Sequence, residues 1–599
     1  MFYTESPVPS LSNIEERLAR PEVAAFPVLR LAVLRNVMME FIEPYLKYLA
    51  CEMGFRSEVM FGGLDNFVQE ALGGAPALFQ DKIDAVLIFT PLPALSPLLD
   101  TGFSGLSQGQ IEEELGRIIQ LFSTVVGGVR AQTDAMILWH GMEAPIYPAL
   151  GIQDAQQHSG QVSIVKSLNE GLRKVLSATG NAYLVNMEAC LARLGAQQFY
   201  DTRYWYLARL PYSRKGLAEI ACEDFKFLRS LKGRTRKCLV VDCDNTLWGG
   251  IVGEDGIEGI KLGHTHPGSS FVEFQLEILS HYHRGVIVAI CSKNNPDDVW
   301  EVFDKHPDMV LKREHIAAWQ INWQDKVTNL RALASELNIG TDSMVFVDDS
   351  DFEANLVREQ MPEVQVLQLP KERPGEYRWV LAASGAFDLP RLTDEDRKRG
   401  ELYQAENLRR QERVGSADLE KYCRSLSIKL EIGLVDALTI PRVAQQTQKT
   451  NQFNLTTRRY TDAEISRFGS SPDHDILWLR VSDKFGDLGI VGSCILTYRG
   501  EDAVIDTLLI SCRVLGRGIE GRFLAEVMWF ARRRGAKRML GQYIPTNKNQ
   551  QVAGFFLSQG FSAASPQSEE GSWFVSSLDN LPVLDLGVFA FVSVPRDDL

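Results

Sequence analysis

Cys238-Leu239-Val240-Val241-Asp242-Cys243-Asp244-Asn245-Thr246 is the stretch from which the architecture of this chain follows. Four apolar residues running straight into two acids read as a buried strand that ends in carboxylates. Two further runs repeat the pattern. Val286–Ile290 leads into Cys291-Ser292-Lys293-Asn294-Asn295, and Met344–Val347 leads into Asp348-Asp349-Ser350-Asp351. Lys326 lies between them, behind Asn322-Trp323-Gln324-Asp325. Ligands of open parallel sheets bind at the carboxyl ends of the strands, so the polar clusters are expected to converge on one site. Asp242 and Asp244 share a face for as long as the strand geometry lasts, with Cys243 pointing the other way.

These residue types suit phosphoryl chemistry. Acids at two strand ends, Asp242 and Asp244 with Asp348 and Asp349, are the hard oxygen ligands that Mg²⁺ takes. The Ser292 hydroxyl and the Lys326 ammonium offer a donor and a fixed positive charge to a phosphoryl group. Asp242 is then placed as a carboxylate nucleophile. Asp244 is placed to protonate a leaving oxygen and to activate water. Thr246 is expected to orient the first loop, and Asn294 to touch substrate.

The set, in this order, resembles the haloacid-dehalogenase (HAD) phosphatases. Leu247-Trp248-Gly249-Gly250-Ile251-Val252-Gly253, Ile290–Asn295, Ile321–Leu330, Phe346–Asn355 and Lys449–Tyr460 together resemble the FkbH-like family. That resemblance implies an enzyme that dephosphorylates 1,3-bisphosphoglycerate and loads its glyceryl unit as a thioester on an acyl carrier protein, for polyketide-type biosynthesis. It implies Mg²⁺ as cofactor. The alternative is a HAD phosphatase acting on another phosphometabolite, with the C-terminal block as an acyl-CoA or carrier-binding module. A thioester product directs attention to Cys291, next to Ser292, as a transient holder of the glyceryl group; a small buried core residue is the competing reading. The gaps Thr246–Ser292 and Ser292–Lys326 are each shorter than the roughly 60 residues of a cap domain. A capless site is expected, with Gly249–Gly263 as a flap.

Outward from this centre the chain divides into blocks. Residues 1–230 carry strand-like runs at Leu31–Leu34, Ala85–Phe89, Ala135–Trp139 and Ala182–Val185, with helical patterns at Ser107–Val126 and Val162–Thr179. That alternation predicts a parallel α/β domain. By position it resembles the SGNH-like domain of larger FkbH-like proteins. No Ser follows Leu31–Leu34 and no Gly-Asp-Ser occurs, so a non-catalytic domain is expected. Residues 231–390 form the HAD-type block. Half of Arg391–Arg424 is charged, which reads as a solvated helical connector.

Residues 425–599 form the last block. A strand at Ala503–Ile510 runs into Arg513-Val514-Leu515-Gly516-Arg517-Gly518, followed by apolar residues at helical spacing from Ile519 to Ala531. Small residues before a helix N-terminus make an anion cradle. The order resembles the GNAT acyltransferases, an α+β fold, and implies that Arg513, Gly516 and Gly518 bind the pyrophosphate of coenzyme A or a phosphopantetheine arm. Phe556 stands where that fold's usual Tyr would, so proton donation to a departing thiolate is lost. Asn451–Asn454 and Arg458-Arg459 read either as contacts to a carrier or as a polar loop between domains. The basic run of Ser511–Leu540, eight cations against Glu520 and Glu526, reads as a solvated face or as an attractor for phosphates and an acidic carrier.

Length and composition set the frame. The chain has 599 residues, 23% of them charged and 45% hydrophobic. At roughly 100–200 residues per domain this is a multidomain α/β protein. A net charge of −14 disfavours nucleic acid as the partner of the whole chain. Nine cysteines without a Cys-x-x-Cys pair exclude a zinc ribbon and a dense disulfide framework. The start lacks the apolar stretch of a secretory signal, and no run approaches a membrane span, so a cytoplasmic location is expected.

Overall fold

The computed structural model describes residues 9–392, 397, 409, 419–450, 452–546, 548–568, 571–579 and 581–594. Most of the charged connector 391–424 lies outside the described residues. The chain forms two compact units, Met1–Arg234 and Thr235–Leu599.

In the first unit β1 (Val28–Arg35), β2 (Arg56–Phe61), β3 (Ala85–Phe89), β4 (Met136–His140) and β5 (Ala182–Val185) form a parallel sheet in the order β2-β1-β3-β4-β5. Its central strands are apolar runs because helices cover both faces, which creates two separate cores. Helix Gln108–Gln132 starts on a capping box in which the Ser107 hydroxyl accepts from the Gln110 amide and the Gln110 side chain reaches back. β2 has no counterpart in the sequence reading. It is an edge strand, Arg-Ser-Glu-Val-Met-Phe, whose residues are mostly half-exposed, so it carries no buried apolar run.

The second unit contains two sheets. In the first of them β6 (Cys238–Val241), β7 (Ile287–Ser292), β8 (Ile316–Ile321), β9 (Met344–Asp348) and β10 (Gln365–Gln368) are all parallel, in the order β10-β9-β6-β7-β8. The chain winds from β6 toward β8 and then returns to the other side of β6. The crevice where the order reverses therefore opens between the carboxyl ends of β6 and β9. β8 and β10, the two edges, are the strands the sequence reading lacks.

The second sheet has nine described strands: β11 (Lys429–Leu434), β12 (Phe453–Asn454), β13 (His474–Asp483), β14 (Gly486–Arg499), β15 (Asp502–Ile510), β16 (Arg538–Tyr543), β17 (Ser562–Ser568), β18 (Gly571–Ser577) and β19 (Phe591–Ser593). It is mixed. β15 pairs parallel with β16, and β11 with β19, while the other pairings are antiparallel. Helix Ile519–Arg533 packs its apolar face, including Phe523, Leu524 and Val527, into that sheet's core. No helix among the described residues is long and apolar enough to cross a membrane.

Candidate active site

β6 ends at Val241, and the Asp242 amide is held by the Val347 carbonyl of β9 at 3.1 Å. The chain then turns tightly. Asn245 adopts a left-handed φ of 54°, and the Thr246 and Leu247 amides fold back onto the Cys243 carbonyl. This turn separates the two acids that strand alternation had placed on one face. Asp242 remains in the crevice. Asp244 is drawn to the flap, where Oδ1 accepts from Trp248 Nε1 (2.9 Å) and the Val252 amide (3.0 Å), and Oδ2 accepts from Asn294 Nδ2 (2.8 Å). Carboxylate atoms of Asp242, Asp348 and Asp349 lie within 4.8 Å of one another. Asp244 is outside that cluster.

Lys326, the first residue of helix Lys326–Leu337, is 2% exposed and enters the same crevice. Its Nζ donates to Asp242 Oδ1 at 2.6 Å and to the Cys291 carbonyl at 2.7 Å, and lies 3.2 Å from Asp348 Oδ2. Burial by itself would lower the Lys326 pKa, but the charges of Asp242 and Asp348 outweigh it and the ammonium is held protonated. Burial, reinforced by the Asp242 charge, pushes Asp348 up to about 7 against the pull of Lys326. Burial and Asp242 likewise push Asp349 up to about 6, with Lys371 opposing. Burial also raises Asp244, against its three hydrogen bonds.

Three clustered carboxylates share one buried ammonium, and two buried oxygens at the site, Asp348 Oδ2 and Thr246 Oγ1, accept or donate no aligned hydrogen bond. Such a set fits a hard divalent cation with an oxygen shell. Ser292 ends β7 beside Asn294, whose Nδ2 lies 3.4 Å from its Oγ. Asp242, Ser292, Asn294, Lys326, Asp348 and Asp349 are thus gathered around the carboxyl ends of β6, β7 and β9.

Cys291 is not brought to this site as an accessible thiol. Alternation holds to the end of β7, so its side chain points with Ile287 and Ala289 into the core that also contains Val327 and Phe346. It is fully buried, and burial pushes the thiol up to about 12. A reactive cysteine needs the opposite surroundings. Its backbone carbonyl is what serves the site, by fixing Lys326. Cys243 points into the other core beside Val241, and burial raises its thiol too.

The flap 249–263 closes on itself through paired hydrogen bonds between Gly249 and Lys261, around helix Val252–Gly259. Tyr377 Oη donates to the Asn245 carbonyl at 3.1 Å and pins the first turn. Trp248 and Tyr377 went unassigned in the sequence reading. Trp248 had a faint signal, four residues beyond Asp244, whereas Tyr377 had none.

In the second sheet, Gly516 and Gly518 both take φ 76°, a conformation that favours glycine, and Gly518 precedes helix Ile519–Arg533. The Gly516 amide donates to the Glu520 carboxylate at 2.5 Å, so the chain's own anion sits on the cradle. Arg513 Nε donates to Ser511 Oγ at 3.2 Å. β15 and β16 pair as far as Ile505 and Gly541, and beyond that point β12 and Leu455 bridge them. Phe453 and Asn454 pair with Ile510 and Leu509, and the Leu455 carbonyl accepts from the Ile544 amide at 2.9 Å. Phe556 is a core residue against Phe561 and Phe574. Asn451, the first residue of the polar stretch Asn451–Asn454, lies outside the described residues. Acids neutralise much of the basic run: Arg522 pairs with Glu526, Arg534 with Asp475, Lys537 with Glu501 and Arg538 with Asp502.

Fold and site define an α/β chain built on Rossmann-like parallel sheets with a carboxylate–lysine crevice. It is similar to a solved structure from Bacteroides fragilis, the N-terminal part of the protein BF1531, described as containing a phosphatase domain complexed with Mg. The identity is 26%, the likeness covers 64% of this chain and 100% of that one, and the TM-score is 0.59. The GNAT domain of an S. lividans protein, PAT, is 14% identical over 24% of this chain and 89% of its own, with a TM-score of 0.20. An N-acetyltransferase from Staphylococcus aureus is 13% identical over 25% of this chain and 99% of its own, also at 0.20. No protein-family model and no curated protein matches the chain.

Proposed function

We propose that the chain is a Mg²⁺-dependent phosphatase of the HAD type that acts on 1,3-bisphosphoglycerate and passes the glyceryl unit to the thiol of an acyl carrier protein. The observation that carries the phosphatase part is the convergence of Asp242, Asp348 and Asp349, at the ends of β6 and β9, on Lys326 at the start of helix Lys326–Leu337. The Bacteroides fragilis structure, complexed with Mg, supports the same reading.

Asp242 is the nucleophile. Its free oxygen attacks phosphorus, the bond from phosphorus to the leaving oxygen breaks, and the phosphoryl group rests on the Asp242 carboxylate. Asp244, kept protonated more readily by burial, gives its proton to the departing oxygen. It then takes a proton from the water that cleaves the acyl phosphate and restores Asp242. Lys326 and Ser292 hold the phosphoryl oxygens, and Asn294 positions Asp244. Asp242, Asp348 and Asp349 would hold Mg²⁺, which supplies charge neutralisation for the phosphoryl group. The crevice removes the C3 phosphate, whose oxygen is the departing one, while the carrier thiol attacks the C1 carbonyl directly, since Cys291 is enclosed; the C–S bond forms as the C1–O bond breaks, the thiol gives up its proton and the C1 phosphate leaves as inorganic phosphate. Arg513, Gly516 and Gly518 are assigned to the carrier's phosphopantetheine or to coenzyme A. The first unit is assigned a non-catalytic role.

One set of observations favours the simpler alternative, a phosphatase for another phosphometabolite. Glu520 occupies the Gly516 amide, and β12 with Leu455 fills the gap between β15 and β16. Incubation with 1,3-bisphosphoglycerate, Mg²⁺ and candidate carriers, read by intact mass of the carrier, decides between them. A glyceryl adduct that disappears in Asp242→Asn is the expected result. Phosphate release with no adduct on any carrier selects the alternative.

A further inference from the structure

The carboxyl end of the first unit's sheet carries a concentration of exposed apolar side chains. On a monomeric surface such residues are ordinarily scattered singly. Here they follow the strands. Leu64 stands after β2, Phe41 after β1, Leu98 after β3, and Tyr147 and Ile152 after β4. Tyr147 is 90% exposed and Ile152 is 94% exposed. The four strands are neighbours in the order β2-β1-β3-β4, so at about 4.8 Å per strand the five residues form a strip roughly 15 Å across.

The loops that bear the strip are tied side by side. Arg35 Nε donates to the Gly62 carbonyl at 3.2 Å and joins the ends of β1 and β2. The Asn36 amide donates to the Phe89 carbonyl at 3.1 Å and joins β1 to β3. Buried Gln161 donates to the Leu99 and Asp100 carbonyls, each at 2.8 Å, and accepts from the Ala149 amide at 2.9 Å, which joins the loops of β3 and β4. The Met38 amide donates to the Arg209 carbonyl at 3.0 Å and brings helix Thr202–Ala208 to the same edge. That helix reads Thr-Arg-Tyr-Trp-Tyr-Leu-Ala, yet none of its residues is fully buried, and Tyr206 and Leu207 face solvent. Helices this short depend on packing, and this one packs within the unit only through partly buried Tyr204 and Trp205.

Area and charge say what covers this face. A whole aromatic side chain offers about 150–250 Å², so seven large side chains exposed to this degree offer on the order of 800–1,000 Å². A standard stable interface takes about 800 Å² from each partner. Acids of the same loops are engaged inside the fold. Glu40 pairs with Arg35, Asp154 accepts from the Gln161 and Val162 amides, and Asp201 accepts from the Arg203 and Tyr204 amides. Acids held in this way do not project like charge toward an identical face.

We propose that this face is an interface with a second copy of the chain, an isologous contact in which the strip and helix Thr202–Ala208 of each copy meet those of the other. A two-fold contact uses every apolar side chain twice, so the area of one face suffices for a stable dimer. Tyr147 and Tyr206 are its anchors, since exposed aromatics carry most of the energy of such contacts. The proposal makes no use of the carboxylate crevice and goes beyond the phosphatase assignment.

The full chain is measured by light scattering after size exclusion and by sedimentation velocity over a range of concentrations. Wild type is expected at twice the chain mass, with a Kd of about micromolar or below. Tyr147→Asp, Ile152→Asp and Tyr206→Asp are each expected to raise that Kd by about tenfold or more while melting close to wild type. Leu438→Asp, at an equally exposed apolar position in the second unit, and Asp242→Asn should leave the dimer within about twofold. If an acid unfolds its loop, Tyr147→Ser and Tyr206→Ser take its place, with hydrogen exchange of residues 144–153 and 202–208 expected to slow as the chain is concentrated. A monomer at about 100 μM overturns the proposal, even if the same face then proves to hold another protein or an apolar ligand. A dimer that survives all the face variants, or one lost equally in Leu438→Asp, overturns it as well.

Discussion

Lys326 is the residue on which the crevice balances. A single buried ammonium faces Asp242 at 2.6 Å and Asp348 at 3.2 Å. Removing one member of a buried ionic set leaves the others uncompensated, which costs about 3–5 kcal/mol. Lys326→Met is therefore expected to lose activity and to be destabilised by an amount of that order in urea unfolding. Mg²⁺ should restore part of the stability, because it replaces the missing positive charge, and EDTA should remove the gain. Asp242→Asn keeps the shape of the site but lacks the proposed nucleophile, and a loss of phosphate release on the order of 10³-fold or more is expected in steady-state assays. Trp248→Phe removes one of three donors from Asp244 and leaves the buried ring. Its kcat should fall by a few-fold to tenfold, with melting little changed.

At the scale of elements, strand ends govern both sheets of the parallel type. In the first unit, β4 ends in His140, stacked on Phe89 and hydrogen-bonded to Asp224 at 2.8 Å. Three residues on, Glu143 is buried at the same end. Burial pushes it up to about 7, against its own amide, the Tyr212 hydroxyl and His140. A carboxyl whose folded pKa is raised stabilises the fold below its unfolded value near 4.5 and loses that contribution as pH rises toward 7. The whole shift corresponds to about 3 kcal/mol. Glu143→Gln cannot ionise. Its stability relative to wild type should thus climb from near parity at pH 4.5 to a plateau above pH 7, in paired thermal or urea melts. A flat difference across that range would remove the assignment.

At the scale of the molecule, ion pairs between segments distant in the chain hold the second unit together. Arg409 and Asp483 are both fully buried and joined by two bonds of 2.7 and 2.8 Å. Arg409→Met is expected to destabilise that unit by about 3–5 kcal/mol, because Asp483 stays buried after losing the two bonds to Arg409, with Arg517 Nη1 3.9 Å away. Denaturant midpoints of the full chain check this. Arg409 lies in a stretch that composition alone assigns to solvent, which shows how little charge density says about where one residue ends up.

The contrast between what could be read early and what could not has a physical basis. Buried parallel strands are continuous apolar runs, so β3 and β6 stand in the sequence residue for residue, and the polar residues that end β6, β7 and β9 mark the crevice. Edge strands β2, β8 and β10 lack that signal because one side of each faces no neighbouring strand. Period-two alternation is local, and it correctly turned Cys243 away from Asp242. It also sends Cys291 into the core, because β7 stays regular through Ser292. It failed for Asp244, where a left-handed Asn245 ends the strand's geometry. By itself, the sequence determined which side chains stand at the ends of buried strands. Only the tertiary structure decided which of them meet, and that Asp242 joins Asp348 and Asp349 without Asp244. Strand order and sheet-to-sheet packing set those distances, and neither leaves a periodic trace in the chain.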